Sequence, residues 1–215
     1  MKSSIRISAS ILSADFGKLN SEIQEVEPFV DMLHVDVMDG HFVPNLTIGP
    51  AVVKCINTKL PVDVHLMISD PGKYAPEFSG HCQMISFHAE LFSREKLAAM
   101  VKQTKKLGVK VGLALNPDKP ISLLEPVIDK LDYILIMSVF AGFGGQKFIP
   151  ETIEKIRALR ARGFSGDIEV DGGINPDTIH LAYEAGANIF VAGNAIFGQA
   201  DRKKAVRLLR QSLMH

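Results

Sequence analysis

Eight short apolar runs alternate with stretches of helical periodicity along this 215-residue chain, and no other feature constrains its fold as tightly. The runs cover residues 5–10, 32–37, 62–67, 84–88, 110–115, 133–137, 168–171 and 189–192. Their length and their flanking turn residues predict strands. Between them, residues 17–27, 50–57, 71–79, 93–107, 121–128, 150–162, 176–185 and 201–213 predict helices, with the weakest signal over 71–79. Strand then helix, eight times, predicts an α/β chain folded as a (β/α)8 TIM barrel, with residues 1–215 as a single domain. A doubly wound sheet is the alternative. The barrel is preferred because polar residues gather at the C-terminal ends of several strands, where barrels place their chemistry.

Hydrophobic residues make up 47% of the chain, enough for a substantial core. Lys+Arg and Asp+Glu both number 24, and a zero formal charge argues against nucleic acid or a membrane surface as partner. Cys55 and Cys82 have no CxxC spacing and read as reduced thiols of a cytoplasmic protein. No apolar run suits a signal peptide or a membrane span. The sequence does not specify an oligomeric state, and a homo-oligomer stays open.

Alternate residues of a strand share a face. His34, Asp36 and Met38 therefore point one way and Leu33, Val35 and Val37 the other. Asp63, His65 and Met67 repeat the pattern, as do Glu169 and Asp171. His34, Asp36, His65 and Asp171 form a candidate ligand set for one divalent metal ion: zinc, iron(II), manganese(II) or cobalt(II). Taken singly, a strand histidine is more often a hydrogen-bonded core residue, and a strand-end Asp commonly caps the next helix. Spacing alone leaves both readings open.

Glycines form a second constellation after the last three strands: Gly142, Gly144 and Gly145, then Gly172 and Gly173, then Gly193. Glycine lets backbone N–H groups approach an anion closely, and the loops after barrel strands 7 and 8 are a recurring phosphate site. Turn punctuation is the plain alternative for any one of them. Neither a Walker A motif nor GxGxxG is present. Met38, Met67 and Met137 fall at inward strand ends, as core filler or as a flexible apolar cap.

Five segments, in order and spanning nearly the whole chain, carry a resemblance. They are Ser10-Ile11-Leu12-Ser13-Ala14-Asp15-Phe16, His34-Val35-Asp36-Val37-Met38-Asp39-Gly40-His41-Phe42-Val43-Pro44-Asn45, Asp63-Val64-His65-Leu66-Met67, Gly142-Phe143-Gly144-Gly145-Gln146-Lys147-Phe148-Ile149 and Glu169-Val170-Asp171-Gly172-Gly173-Ile174. Together they resemble the ribulose-phosphate 3-epimerase family, (β/α)8 enzymes of the ribulose-phosphate-binding type in the pentose phosphate pathway. The resemblance implies that His34, Asp36, His65 and Asp171 bind the metal and that Asp36 and Asp171 are the catalytic acid/base pair. It implies that Ser10 and His65 contact the sugar phosphate. Gly142, Phe143, Gly144, Gly145, Gly172, Gly173, Gly193 and Asn194 would line its phosphate end, beneath a cap of Met38, Met67 and Met137.

The implied reaction inverts C3 of D-ribulose 5-phosphate to give D-xylulose 5-phosphate through a cis-enediolate, one Asp serving each face. A D-allulose 6-phosphate 3-epimerase and a non-catalytic sugar-phosphate-binding paralogue are the alternatives. A related barrel decarboxylase or lyase is disfavoured, since no inward Lys stands at these strand ends. His41, His88 and Glu90 are candidates for supporting roles. Two segments depart from the family pattern: Ser8-Ala9-Ser10 where it has Ala-Pro-Ser, and Val139-Phe140-Ala141-Gly142 where it has a polar residue and Pro before the glycine. A slacker loop is expected at 139–142, and Phe140→Asn with Ala141→Pro is expected to raise kcat/KM.

Overall fold

The computed structural model describes residues 4–214. Eight parallel strands, β1 (Arg6–Ser10), β2 (Met32–Met38), β3 (Val62–Met67), β4 (Met84–His88), β5 (Lys110–Leu115), β6 (Tyr133–Met137), β7 (Asp167–Asp171) and β8 (Ile189–Ala192), close into a barrel in sequence order. Helices α1 (Leu19–Val26), α2 (Pro50–Val53), α3 (Pro71–Phe78), α4 (Arg94–Lys105), α5 (Ile153–Ala161), α6 (Ile179–Ala185), α7 (Asn194–Phe197) and α8 (Arg202–Gln211) lie between and after them. The barrel expected from the sequence is therefore the fold, and the doubly wound alternative is excluded by closure of β1 onto β8.

Period-two alternation builds both faces of the wall. Leu33, Val35 and Val37 of β2, Ile85 and Phe87 of β4, and Ile134 and Ile136 of β6 are buried in one apolar cluster with the helices. Each such side chain contributes about 1.5–3 kcal/mol by leaving water. The inward residues form tiers. Met32, Met84, Tyr133 and Ile189 close the bottom. His34, Asp63 and Glu169 stand above them, all fully buried, and Asp36 and His65 come one tier nearer the C-terminal mouth, level with the strand ends Ser10 and Asp171.

Two expected helices fall short. Residues 121–128 give only 3-10 turns, Ile121–Leu124 and Ile128–Lys130. Pro126 has no N–H to donate, and its ring crowds the carbonyl one turn back. Residues 50–57 give the single turn of α2, since Val52, Val53 and Ile56 are stiff at χ1 and Asn57 favours turns. By contrast 71–79, the weakest signal, does form a helix. Asp70 caps it through Lys73 N–H at 3.1 Å, and Pro71 occupies the first turn, where no donor is needed. The one-turn α7 after Gly193 is not foreshadowed by any periodicity.

Candidate active site

Parallel register assembles the site. His34 pairs with Asp63 across β2 and β3, Asp36 with His65, and Met38 with Met67. Ser10 stands beside His34 from β1, and Asp171 beside Met137 from β6. His34 Nε2 lies 3.4 Å from Asp36 Oδ1 and 3.9 Å from Asp171 Oδ2. His65 Nδ1 lies 3.5 Å and 3.9 Å from the same two oxygens. Ser10 Oγ donates to Asp36 Oδ2 at 2.7 Å. The four residues of the sequence-derived ligand set thus offer ligand atoms all within 4.8 Å of one another.

Two of those atoms, His34 Nε2 and His65 Nδ1, are buried without a hydrogen-bond partner. Orphaned buried polar atoms cost about 1–3 kcal/mol each. Both are aimed at the same pair of carboxylates. Burial disfavours a charge on His34, yet the carboxylates gathered around it, Asp36 first and then Asp63 and Glu169, outweigh it and raise its pKa well above the ordinary value. The cluster therefore draws positive charge to its centre. Two imidazole nitrogens and two carboxylates suit a divalent transition metal in kind and number.

A polar tier holds the clustered residues in place. Asp63 Oδ2 is 2.9 Å from His34 Nδ1, and Tyr133 donates its hydroxyl to Asp63 Oδ1 at 2.7 Å. Gly112 makes that possible, since a Cβ there would meet the Tyr133 ring at 2.5 Å. His65 Nε2 is 2.9 Å from His88 Nε2, and His88 Nδ1 is 3.1 Å from Glu90 Oε1. His88 and Glu90 therefore sit behind His65, whereas His41 is exposed and, among the described residues, its side chain bonds to Asp39 alone. Glu169 is fully buried, and neither of its oxygens has a hydrogen-bond partner. Burial and then the Asp63 charge push its carboxyl up to about 8.

Above the cluster opens a cavity of about 300 Å³. Ser10, Asp36 and Asp171 line it, with Met38, Met67 and Met137, Gly142 to Gly145, Gly172, Gly173, Gly193 and Asn194. His34 and His65 do not; they lie fully buried below. The glycines stand where side chains do not fit. A Cβ on Gly172, which has φ +118°, would meet Val139 at 2.5 Å, and one on Gly173, at φ +64°, would meet the Phe148 backbone at 2.5 Å. Met38 and Met67 pack with Val43, and Met137 with Val139. Ser13, Gln146, Asn175 and Gln199 also line the cavity. They are polar loop residues, and no periodic signature marks them in the sequence as part of a site.

The sequence pattern of the ribulose-phosphate 3 epimerase family matches residues 6–197. This chain belongs to that family. It is 47% identical over 217 residues to the ribulose-phosphate 3-epimerase of Bacillus subtilis, covering 97% of this chain and 99% of that one. It is 48% identical to the ribulose-phosphate 3-epimerase of Synechocystis, covering 99% and 96%. It is an enzyme of this epimerase type. Among solved structures, the 3-keto-L-gulonate-6-phosphate decarboxylase of Vibrio cholerae superposes with a TM-score of 0.76 at 17% identity. The match covers 99% of this chain and 98% of that one, and the two share the barrel fold.

Within the epimerase framework, the segment 139–142 is tied down rather than slack. Ala141 N–H donates to Asn116 Oδ1 at 3.0 Å. Asn45 Nδ2 donates to Gly142 O at 2.7 Å, and Gln146 Nε2 donates to the carbonyls of Phe140 and Phe143 at 2.7 and 2.9 Å. A proline at 141 has no N–H for Asn116, so the Ala141→Pro half of the expected Phe140→Asn with Ala141→Pro gain runs against the contacts seen here.

Proposed function

We propose that this enzyme inverts C3 of D-ribulose 5-phosphate to give D-xylulose 5-phosphate, with Asp36 and Asp171 as its two proton-transfer groups and one divalent metal ion as cofactor. One observation carries the assignment of roles. Of the four clustered residues, only Asp36 and Asp171 reach the cavity, so only they can touch a bound sugar. The names carried by close relatives support the substrate.

His34, Asp36, His65 and Asp171 would hold the ion, which when bound supplies Lewis-acid stabilisation of negative charge developing on the sugar oxygens. C3 is acidified by its neighbouring carbonyl. One Asp removes the C3 proton from one face and the other returns a proton to the opposite face, which inverts the centre. The two carboxyls start from different protonation tendencies. Burial, countered by His34 and His65, leaves Asp36 well below the usual carboxylate range. Burial and the Asp36 charge push Asp171 up to about 7. A pair separated in this way offers one base and one acid at neutral pH.

Ser10 orients Asp36 through its hydroxyl and reaches the cavity itself. His65, buried under the cavity floor, acts on the sugar through the metal set rather than by direct contact. The glycine loops after β6, β7 and β8 and Asn194 take the phosphate, which anchors the sugar away from C3 and leaves binding energy for positioning. Met38, Met67 and Met137 shield the reacting carbon from water while staying adaptable.

Steady-state kinetics test this reading. D-Ribulose 5-phosphate is expected to be turned over with a higher kcat/KM than D-allulose 6-phosphate. Asp36→Asn and Asp171→Asn are each expected to lower it by at least about 10²–10⁴-fold, the usual worth of a general acid or base. A preference for the hexose phosphate, or an active Asp171→Asn, contradicts it.

A further inference from the structure

β5 ends at Leu115, and Asn116 follows with a half-buried amide that faces two ways. Its Nδ2 donates to Glu90 Oε1 at 2.8 Å, and its Oδ1 accepts from Ala141 N–H at 3.0 Å. Its own backbone is held from below, since Lys155 Nζ donates to the carbonyls of Asn116, Pro117 and Lys119 at 2.8, 2.8 and 2.6 Å. A side chain fixed in this way transmits a shift on one side to the other.

On the Glu90 side the hydrogen positions follow from chemistry. An ionised carboxylate only accepts, so His88 Nδ1 carries the hydrogen shared with Glu90. With both rings neutral, His88 Nε2 is then a lone pair, and the single hydrogen between the rings belongs to His65 Nε2. His65 Nδ1 is left as a lone pair facing Asp36 and Asp171, the state a metal ligand needs. The two rings stack at 25° with centroids 5.1 Å apart, so neither turns independently. On the other side, Ala141 packs against the methionine clusters of Met38 and Met137. Its neighbours Phe140, Gly142 and Phe143 form a wall of the cavity.

We infer that Asn116 is a positioning residue that couples the metal-binding state of His65, through His88 and Glu90, to the loop 139–146 that walls the cavity. The inference rests on the metal reading above. Loading the ion steadies His65 and its relay, Asn116 is steadied with them, and the loop is held in place for substrate. By linkage, order in the loop favours metal to the same degree.

Cobalt(II) is the probe, because its visible absorption reports binding independently of turnover. Hydrogen–deuterium exchange of the peptide covering 139–146 is measured with and without Co(II) in the wild type, in Asn116→Ala and in Ala141→Pro. Ala141→Pro leaves Asn116 and its Glu90 contact in place, removes the N–H that Asn116 accepts and fixes φ at 141, so the slowing is compared with and without Co(II) within that variant, and it decides the matter should Asn116→Ala fail to fold. In the wild type, Co(II) is expected to slow exchange about five-fold or more, a typical coupling. In either folded variant the absorption band persists at saturating Co(II) and the slowing is lost. Equal slowing in wild type and folded variants, or no slowing in the wild type despite bound Co(II), overturns the coupling alone. No Co(II) band in the wild type overturns the metal reading and the coupling with it.

Discussion

His34 Nδ1 lies 2.9 Å from Asp63 Oδ2, and both side chains are fully buried. The pairing leaves His34 Nε2 free to face Asp36 and Asp171. A carboxylate behind an imidazole fixes the ring and raises its basicity as a ligand, and removing such a partner typically costs about 10–100-fold in metal affinity. Asp63→Ala is therefore expected to weaken Co(II) binding by about that factor, measured by competition with a chelating dye. Unchanged affinity would show that Asp63 serves the core and not the metal.

Tyr133 reaches Asp63 only because position 112 lacks a side chain. Gly112→Ala places a methyl against a fully buried ring, and overpacking of this kind costs about 1–3 kcal/mol. Tyr133→Phe removes one hydrogen bond from a buried carboxylate and is expected to cost about 1–3 kcal/mol. Urea unfolding of the metal-free protein checks both.

Asp39 anchors the loop that follows β2. Its carboxylate accepts from the N–H groups of His41, Phe42 and Ser69 at 2.9, 3.0 and 2.8 Å and from Ser69 Oγ at 2.7 Å. Partial burial opposes its ionisation, but the Ser69 bonds and those of Phe42 and His41 hold its pKa well below the usual range. A depressed native pKa gives stability that is fully present above the unfolded value of about 3.9 and is lost as pH falls through the native one. Asp39→Ala is expected to destabilise by about 1–3 kcal/mol at pH 7, and by progressively less below pH ~4. A deficit independent of pH in denaturant titrations contradicts this.

The two thiols are expected to differ in reactivity. Cys55 is exposed and Cys82 is buried. Burial and then the Asp63 charge push the Cys82 thiol up to about 12, and the thiol form is not the nucleophile. A disulfide reagent at pH 8 is expected to modify one thiol per native chain, at Cys55, and both after unfolding. Rapid modification of Cys82 in the native protein contradicts this.

The barrel and the four clustered residues were legible because one rule governs both: alternation puts Leu33, Val35 and Val37 outside and His34, Asp36 and Met38 inside, and closure brings strand ends together. The tier beneath was less legible. Asp63 shared a face with His65, but its partner Tyr133 opens β6 as any apolar strand residue does. A lone Gly112 inside β5 carries no hint of the ring that the neighbouring strand lays across it. Asn116 reads as an ordinary loop residue, and its two hydrogen bonds depend on register between β4, β5 and β6, which local sequence does not encode. The loss of the helix at 121–128 was readable from Pro126.

Asp36 and Asp171 are proposed to move protons on the two faces of C3 beside a metal ion. Proton NMR of D-ribulose 5-phosphate in D2O tests it most directly, with the enzyme metal-loaded, chelator-treated and reloaded. D-Xylulose 5-phosphate carrying deuterium at C3 is expected, lost on chelation and restored by the ion. Undiminished deuterium uptake in fully metal-depleted enzyme, or no uptake in the loaded enzyme, contradicts it.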